Sequence, residues 1–228
     1  MITGANSGLG LELVRAFAAG GDIVIAGCRD PQAATELRSL TDEVHPVDVG
    51  DERSIDAFVA AVGDRPVDVL VNNAGIDARN LGAVDSERDV LVQSPEHLLR
   101  QVSVNAVGPL LLARGLLPQL RLAASPRIVN ITSQIGSMQV SRTAGRDVGY
   151  AVSKAALNMI TVKLASRLRD EGIVAVMLHP GHLRTSMGGA AAAMEADDAA
   201  RQIAELVDRL TIDDTGSFLR WDGSVHPW

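Results

Sequence analysis

Cysteine is almost missing from the 228-residue chain: Cys28 stands alone, so no intramolecular disulfide can form, which fits a reducing cytosol. Aromatic residues are nearly as scarce, at 3%, and Tyr150 is the one tyrosine. Net positive charge is lacking as well. The 21 Lys and Arg against 28 Asp and Glu leave a formal −7 and a pI near 5.2, which argues against a nucleic-acid or anionic-membrane partner. No basic-then-apolar stretch opens the chain, so no signal peptide is expected. The longest apolar run, AVGPLLLARGLLPQL, is broken by Arg114, Gly115 and Pro118 and reads as a buried helix instead of a membrane span. His45, His97, His179, His182 and His226 lack ligand spacing, and no metal site is expected.

Against these shortages stands a hydrophobic content of 46%, enough for one sizeable core. No repeat or Pro/Gly/Ser-rich linker divides the chain, and a single domain spanning 1–228 is expected. Short Val/Ile-rich runs at 22–28 (DIVIAGC), 67–73 (VDVLVNN), 126–132 (PRIVNIT) and 173–180 (IVAVMLHP) read as strands buried on both faces. Weaker strands are expected at 43–47 and 217–221. Helix-period stretches occupy 8–19, 31–40, 52–62, 95–122, 149–170 and 197–210, and GGAAAAMEADD at 188–198 reads as a loop. This alternation predicts an α/β fold, a parallel sheet with helices on both faces. Connectors 76–94 and 134–148 are unusually long and follow strand carboxyl ends, where open α/β sheets bind ligands.

The opening TGANSGLG sets Gly4, Gly8 and Gly10 in a G-x-x-x-G-x-G pattern between a strand end and a helix. Glycine reaches positive φ and lets backbone N–H groups approach a phosphate, at which the next helix would aim its positive end. Alone, the pattern reads equally well as a tight turn. Tyr150 and Lys154 stand four apart, so on a helix they share one face. An ammonium near a phenol lowers its pKa from about 10 and makes it a usable acid/base. An idle surface pair is the plainer alternative.

Together with NNAG (72–75) and YAVSK (150–154), the glycine cluster gives a chain that resembles the short-chain dehydrogenase/reductase family over essentially its whole length. The resemblance implies a Rossmann-type doubly wound sheet in strand order 3-2-1-4-5-6-7. It implies a catalytic tetrad of Asn105, Ser133, Tyr150 and Lys154. In that scheme Tyr150 protonates a carbonyl oxygen that Ser133 also holds. Lys154 tunes the tyrosine and binds the nicotinamide ribose, and Asn105 holds a water of a proton relay. Dinucleotide contacts are implied for Gly4, Asn6, Ser7, Gly8, Leu9 and Gly10, for Asp48 and Val49 after the third strand, and for Asn73, Ala74 and Gly75. Pro180, Gly181 and Thr185 of HPGHLRTSMGG complete them near the nicotinamide. The interval from Ser133 to Tyr150 is longer than in many members, and the extra length around SRTAGRD is expected to be a surface excursion beside the pocket. Only Met1, Ile2 and Thr3 precede Gly4, so the first strand is expected to be short of the about five or six residues usual for a strand. Omitted leading residues or a late start would account for that.

An acid at the end of the second strand holds the ribose 2′-OH of NAD, whereas a basic residue there suits NADP. Here AGCRD puts Cys28 at the acid's position with Arg29 next, which favours NADP(H) over NAD(H). Asp30 becomes the ribose ligand if the strand end is displaced by two, and Ser7 stands where many NADP-type relatives carry a basic residue. The tail FLRWDGSVHPW holds Phe218, Trp221 and Trp228, half of the aromatics, and needs a burial partner within the chain or in a second subunit. With HPGHLRTSMGG it resembles the C-factor-like and sniffer-like carbonyl reductases. His182 either lines the pocket or is solvated. The expected protein is a cytoplasmic, homo-oligomeric (dimer or tetramer) oxidoreductase acting on a small carbonyl or alcohol. A signalling protein of the same fold with little turnover and a non-redox dehydratase or epimerase are the alternatives.

Overall fold

Runs of Val and Ile without polar alternation suit strands that are covered on both faces, and the sheet is built from such runs. The computed structural model describes residues 1–141 and 145–228. Seven strands, β1 (Ile2–Thr3), β2 (Ala26–Cys28), β3 (Val44–Pro46), β4 (Val69–Asn72), β5 (Arg127–Ile131), β6 (Val174–His179) and β7 (Phe218–Arg220), form one sheet. All pairs are parallel, in the order β3-β2-β1-β4-β5-β6-β7. The expected α/β architecture and strand order are both present. Helices α1 (Gly8–Ala19), α2 (Thr35–Arg38) and α8 (Ala196–Arg209) pack on one face through Leu13, Val14, Leu37, Ile203 and Val207. The other face carries α3 (Glu52–Val62), α4 (Pro95–Val102), α5 (Gly108–Gly115), α6 (Leu117–Leu122) and α7 (Val148–Leu168). Phe58, Leu112, Leu116, Leu120 and Leu168 fill the core beneath them. No helix among the described residues is long and apolar enough to cross a membrane.

Three elements depart from their sequence patterns, each for a local reason. β2 starts at Ala26 because its register partner is Ile2, so the earlier part of its apolar run lies beyond the ladder of β1. The stretch 31–40 is helical only from Thr35: Asp30 accepts hydrogen bonds from the N–H groups of Gln32 and Ala33 and holds a turn there. The stretch 95–122 is not one helix. A single π turn, Ser103–Val107, separates α4 from α5, and Leu116 separates α5 from α6. Pro109 has no N–H to return to the Asn105 carbonyl four residues earlier, so the α-helical ladder fails where the π turn sits. β1 is two residues long, as expected.

Buried amides knit the middle of the sheet to α7. Asn72 Nδ2 donates to Asn130 Oδ1 (2.7 Å), whose Nδ2 donates to Thr161 Oγ1 (2.8 Å). Thr132 Oγ1 donates to Asn158 Oδ1 (2.7 Å) one layer nearer the strand ends. Such networks rigidify a core, although the buried Asn72 Oδ1 itself finds no partner. The tail folds onto its own sheet: the His226 ring stacks on buried Phe218 at 4.5 Å, and Trp228 meets Phe218 edge-on at 5.8 Å. Intramolecular packing therefore accounts for the tail aromatics, with Trp228 half exposed.

Phe58 shows how tight the core beneath α3 is. Gly27 in β2 lies so close that a Cβ there would sit 3.0 Å from the Phe58 ring and 2.7 Å from Val47. Phe58→Ala should cost about 3–5 kcal/mol, read as a lower urea midpoint with little change in slope. A loss under about 1 kcal/mol would mean the site collapses to fill the gap.

Candidate active site

The site assembles at the carboxyl ends of the central strands, beginning with the glycine turn after β1. Gly4 (φ +64°) and Gly8 (φ +53°) adopt left-handed backbone that glycine accepts at little cost. Gly10 is needed for closeness: a Cβ there would fall 2.1 Å from the Gly4 carbonyl oxygen. Ser7 heads α1 with no side-chain cap, and the first turn carries no acidic residue. Asn6 and Ser7 are exposed, and Leu9 is buried beneath them. The open N–H groups and positive end of α1 therefore face outward, a cradle that fits a diphosphate.

The NNAG segment holds this turn in place. Asn73 Nδ2 donates to the carbonyls of Thr3 (3.0 Å) and Gly4 (3.2 Å), and the N–H groups of Asn73 and Ala74 donate to Thr3 Oγ1. The Asn73 side chain is thus spent on the turn and does not project as a ligand. Thr3 is a partner the sequence reading missed; a hydroxyl directly before the glycine turn was the available signal.

Tyr150 and Lys154 lie on one face of α7, as their spacing requires, with Nζ 5.6 Å from the phenol ring centre. Lys154 is 3% exposed and donates to the Ile131 carbonyl at 2.8 Å. Burial lowers its pKa to about 8. The expected lowering of the phenol is overturned: burial raises the Tyr150 pKa, Asp77 and Asp147 add to the rise, and Arg79 opposes it. Desolvation dominates, and Tyr150 keeps its proton at neutral pH. Ser133 ends the loop after β5, its Oγ accepting from Ile135 N–H at 3.3 Å. Asn105 sits wholly buried in the π turn. Its Oδ1 accepts from Ile76 N–H (2.8 Å), and its Nδ2 donates to the Ile76 carbonyl (2.8 Å) and to Ser153 Oγ (2.9 Å). Ser153 Oγ donates in turn to the Tyr150 carbonyl (2.7 Å), so Asn105 and α7 are directly coupled. Gly75 lies between them: a Cβ there would be 3.3 Å from Asn105 Oδ1 and 3.6 Å from Lys154 Nζ.

The loop after β6 returns over the cleft. Gly181 (φ +94°) turns beside the half-buried Pro180, and Thr185 Oγ1 accepts from Gly188 N–H at 3.1 Å. Thr185 also covers the glycine turn, its methyl 3.4 Å from a Cβ on Gly8. His182 is exposed, with Nε2 3.0 Å from the Gly188 carbonyl oxygen. At the end of β2, Cys28 is buried and its thiol pKa is raised by that burial. Arg29 is exposed. Asp48 accepts from Gly50 N–H (2.8 Å) and lies 3.5 Å from Arg100, and Val49 is buried beside it. The expected excursion at SRTAGRD falls partly outside the described residues, at 142–144. Among the described residues no three His, Cys, Asp or Glu converge.

Known proteins share this fold. A family model described as short chain dehydrogenase matches residues 1–196. The chain is 38% identical over 174 residues to the C-signal protein of Myxococcus xanthus, covering 75% of this chain and 99% of that one. Among solved structures, an NADPH-bound carbonyl reductase from chicken fatty liver superposes with a TM-score of 0.89 at 33% identity, covering 100% of this chain and 97% of the other. The carbonyl reductase Sniffer of D. melanogaster superposes at 0.84 with 32% identity, covering 100% and 98%.

The buried lysine has a thermodynamic signature. Its folded pKa of about 8 lies below the ordinary 10.5, so between those values the unfolded chain binds more protons and stability rises with pH. Lys154→Met should remove a rise of order 2 kcal/mol across that window, measured by urea unfolding of both proteins. Parallel pH curves for variant and parent would show that the ammonium carries no burial cost.

Proposed function

The chain belongs to the short-chain dehydrogenase/reductase family, and we propose on that basis that it is an NADP(H)-dependent reductase of small carbonyl compounds. The observation that carries the reading is that NNAG joins the uncapped glycine turn to Lys154: a Cβ on Gly4 would lie 2.8 Å from Ala74 Cα, and one on Gly75 would lie 3.6 Å from Lys154 Nζ, which itself faces Tyr150. The NADPH-bound chicken carbonyl reductase, aligned over the whole chain, supports it. Gly4, Gly8, Gly10 and the Ala74–Gly75 backbone would hold a dinucleotide, which would supply the hydride when bound. Lys154 and Thr185 would hold its nicotinamide end, and Asp48 and Arg29 its adenosine end.

Tyr150 is the general acid, giving its phenolic proton to the carbonyl oxygen as negative charge develops there. A raised pKa suits this direction, because the proton is present across the neutral range. Ser133 orients the same oxygen. Asn105 acts through its main chain, since Pro109 frees its carbonyl for a water while its side chain holds Ile76. The whole of 1–228 is read as one dinucleotide-binding domain. An acidic, cytoplasmic enzyme fits the composition, and the groove on α5 and α7 lined by Leu110, Met159, Ile160 and Leu164 supports a homo-oligomer.

Tyr150→Phe should abolish reduction across a panel of aldehydes, ketones and quinones while leaving NADPH affinity nearly intact, followed by NADPH oxidation and by fluorescence titration. Substantial remaining turnover would falsify the assignment of the acid.

Arg29 is the proposed reader of the 2′-phosphate, and Asp30 is already committed to its turn. Arg29→Ala should weaken NADPH by roughly ten- to a hundredfold, the equivalent of about 1.5–3 kcal/mol, and leave NADH nearly unchanged. Equal weakening of both would remove Arg29 from that role.

A further inference from the structure

We propose that Arg88 is a positioning residue for Tyr150, acting through Asp147 at the head of α7; this rests on Tyr150 being the acid/base group. Asp147 is the one non-glycine residue with positive φ among the described residues (φ 58°, ψ 33°). It stands at the cap position of α7, yet its side chain caps nothing. A left-handed aspartate that forgoes its cap needs another reason to be there. Arg88 is that reason. Its Nε donates to Asp147 Oδ1 (2.6 Å) and its NH2 to Oδ2 (2.9 Å), the two-pronged geometry that fixes orientation as well as distance. The Asp147 N–H donates to the Arg88 carbonyl (2.8 Å), and Val90 N–H donates to the Gly145 carbonyl (3.0 Å). Segment 76–94 is thereby stapled to the first turn of the helix that carries Tyr150.

The same segment reaches the site from the other side. Ile76 is the backbone partner of Asn105, and Asp77, 7% exposed, is gripped by Arg79 Nε (3.0 Å) and NH2 (2.5 Å). Arg79 NH2 also donates to the Met187 carbonyl (2.7 Å) in the loop after β6. The groups that face Tyr150 are therefore Asp77 and Arg79 from segment 76–94, Asp147 before α7, and Lys154 on α7 itself. Each carboxylate near the phenol is matched by an arginine of one segment. Arg88 has Asp85 as a second partner at 2.7 Å, which orients its fork toward Asp147. Arg146 lies 3.3 Å from Asp85 on the outer side. Removing the arginine leaves Asp147 an unpaired negative charge near the phenol; removing the aspartate takes that negative charge away and leaves Arg88 held by Asp85.

That opposition supplies the test. Tyr150 is the only tyrosine, so the near-ultraviolet phenolate band after an alkaline pH jump reports on it alone. Arg88→Ala should move its titration to higher pH and Asp147→Asn to lower pH, each by about half a unit or more. Asparagine tolerates left-handed backbone, so the second variant keeps the helix start. The pH profile of alcohol oxidation, which needs the phenolate, should shift in the same two directions. In Arg88→Ala kcat should also fall about tenfold with NADPH affinity kept, and Arg88→Lys should restore part of it. Shifts of one sign in both variants, no shift, or an unchanged kcat would overturn the proposal. Phenolate shifts without matching changes in the oxidation profile would overturn it too, and if Tyr150→Phe also stays active the fault lies with the acid/base reading. An inactive Tyr150→Phe beside an unmoved phenolate band would instead spare that reading and reject Arg88.

Discussion

The approach of Gly10 to the Gly4 carbonyl is the constraint on which the rest of the structure depends. There is no room for even one methyl group between the turn after β1 and the first turn of α1. That closeness aims the helix at the mouth of the sheet, and Thr3 and Asn73 then tie the turn to β4. Because β1 and β4 are neighbours, a single junction joins the half of the sheet that carries Arg29 and Asp48 to the half that carries Ser133 and Tyr150. Ligand cleft and sheet order are consequences of one another.

Burial sets the chemistry of the two titratable groups at the cleft. Burial disfavours the charged form of both groups: the phenol stays protonated and neutral, while the lysine, its pKa lowered to about 8, still carries its charge at neutral pH. The other charged groups lie one layer out, in pairs: Asp77 with Arg79, Asp147 with Arg88, Asp48 with Arg100. A site arranged this way holds one buried cation, Lys154, inside a frame of paired charges. Its electrostatics are then set by residues that need not touch the reacting atoms.

Strand identity was legible because buried parallel strands leave an unbroken apolar signature, and strand order was implied by the family resemblance that the glycine cluster, NNAG and YAVSK carry. Tyr150 and Lys154 share one face of α7, as their spacing requires. Strand ends were less legible, since hydrogen-bonded length depends on the neighbour: the run at 22–28 is apolar after Asp22, but only its last three residues find β1 and β3. The π turn at Asn105 was hidden inside a continuous helical period, although Pro109 marked the missing donor. Asp77, Arg79, Arg88 and Asp147 gave no periodic or motif signal at all. Arg88 and Asp147 are paired across 59 positions, and Asp77 with Arg79 pairs locally inside a loop, so neither pair leaves a periodic trace.

The tail aromatics carry a consequence beyond packing. Both tryptophans of the chain lie there, and the Trp221 ring comes within 3.3 Å of where a Gly181 Cβ would be, beside Met194. His179, buried at the end of β6, meets Trp221 edge-on at 6.1 Å. The Trp228 carbonyl accepts from Gln139 N–H at 2.8 Å, on the loop that follows Ser133. The intrinsic fluorescence of this protein therefore originates against the two loops that frame its cleft. It is a native optical gauge of how those loops sit, with no label added.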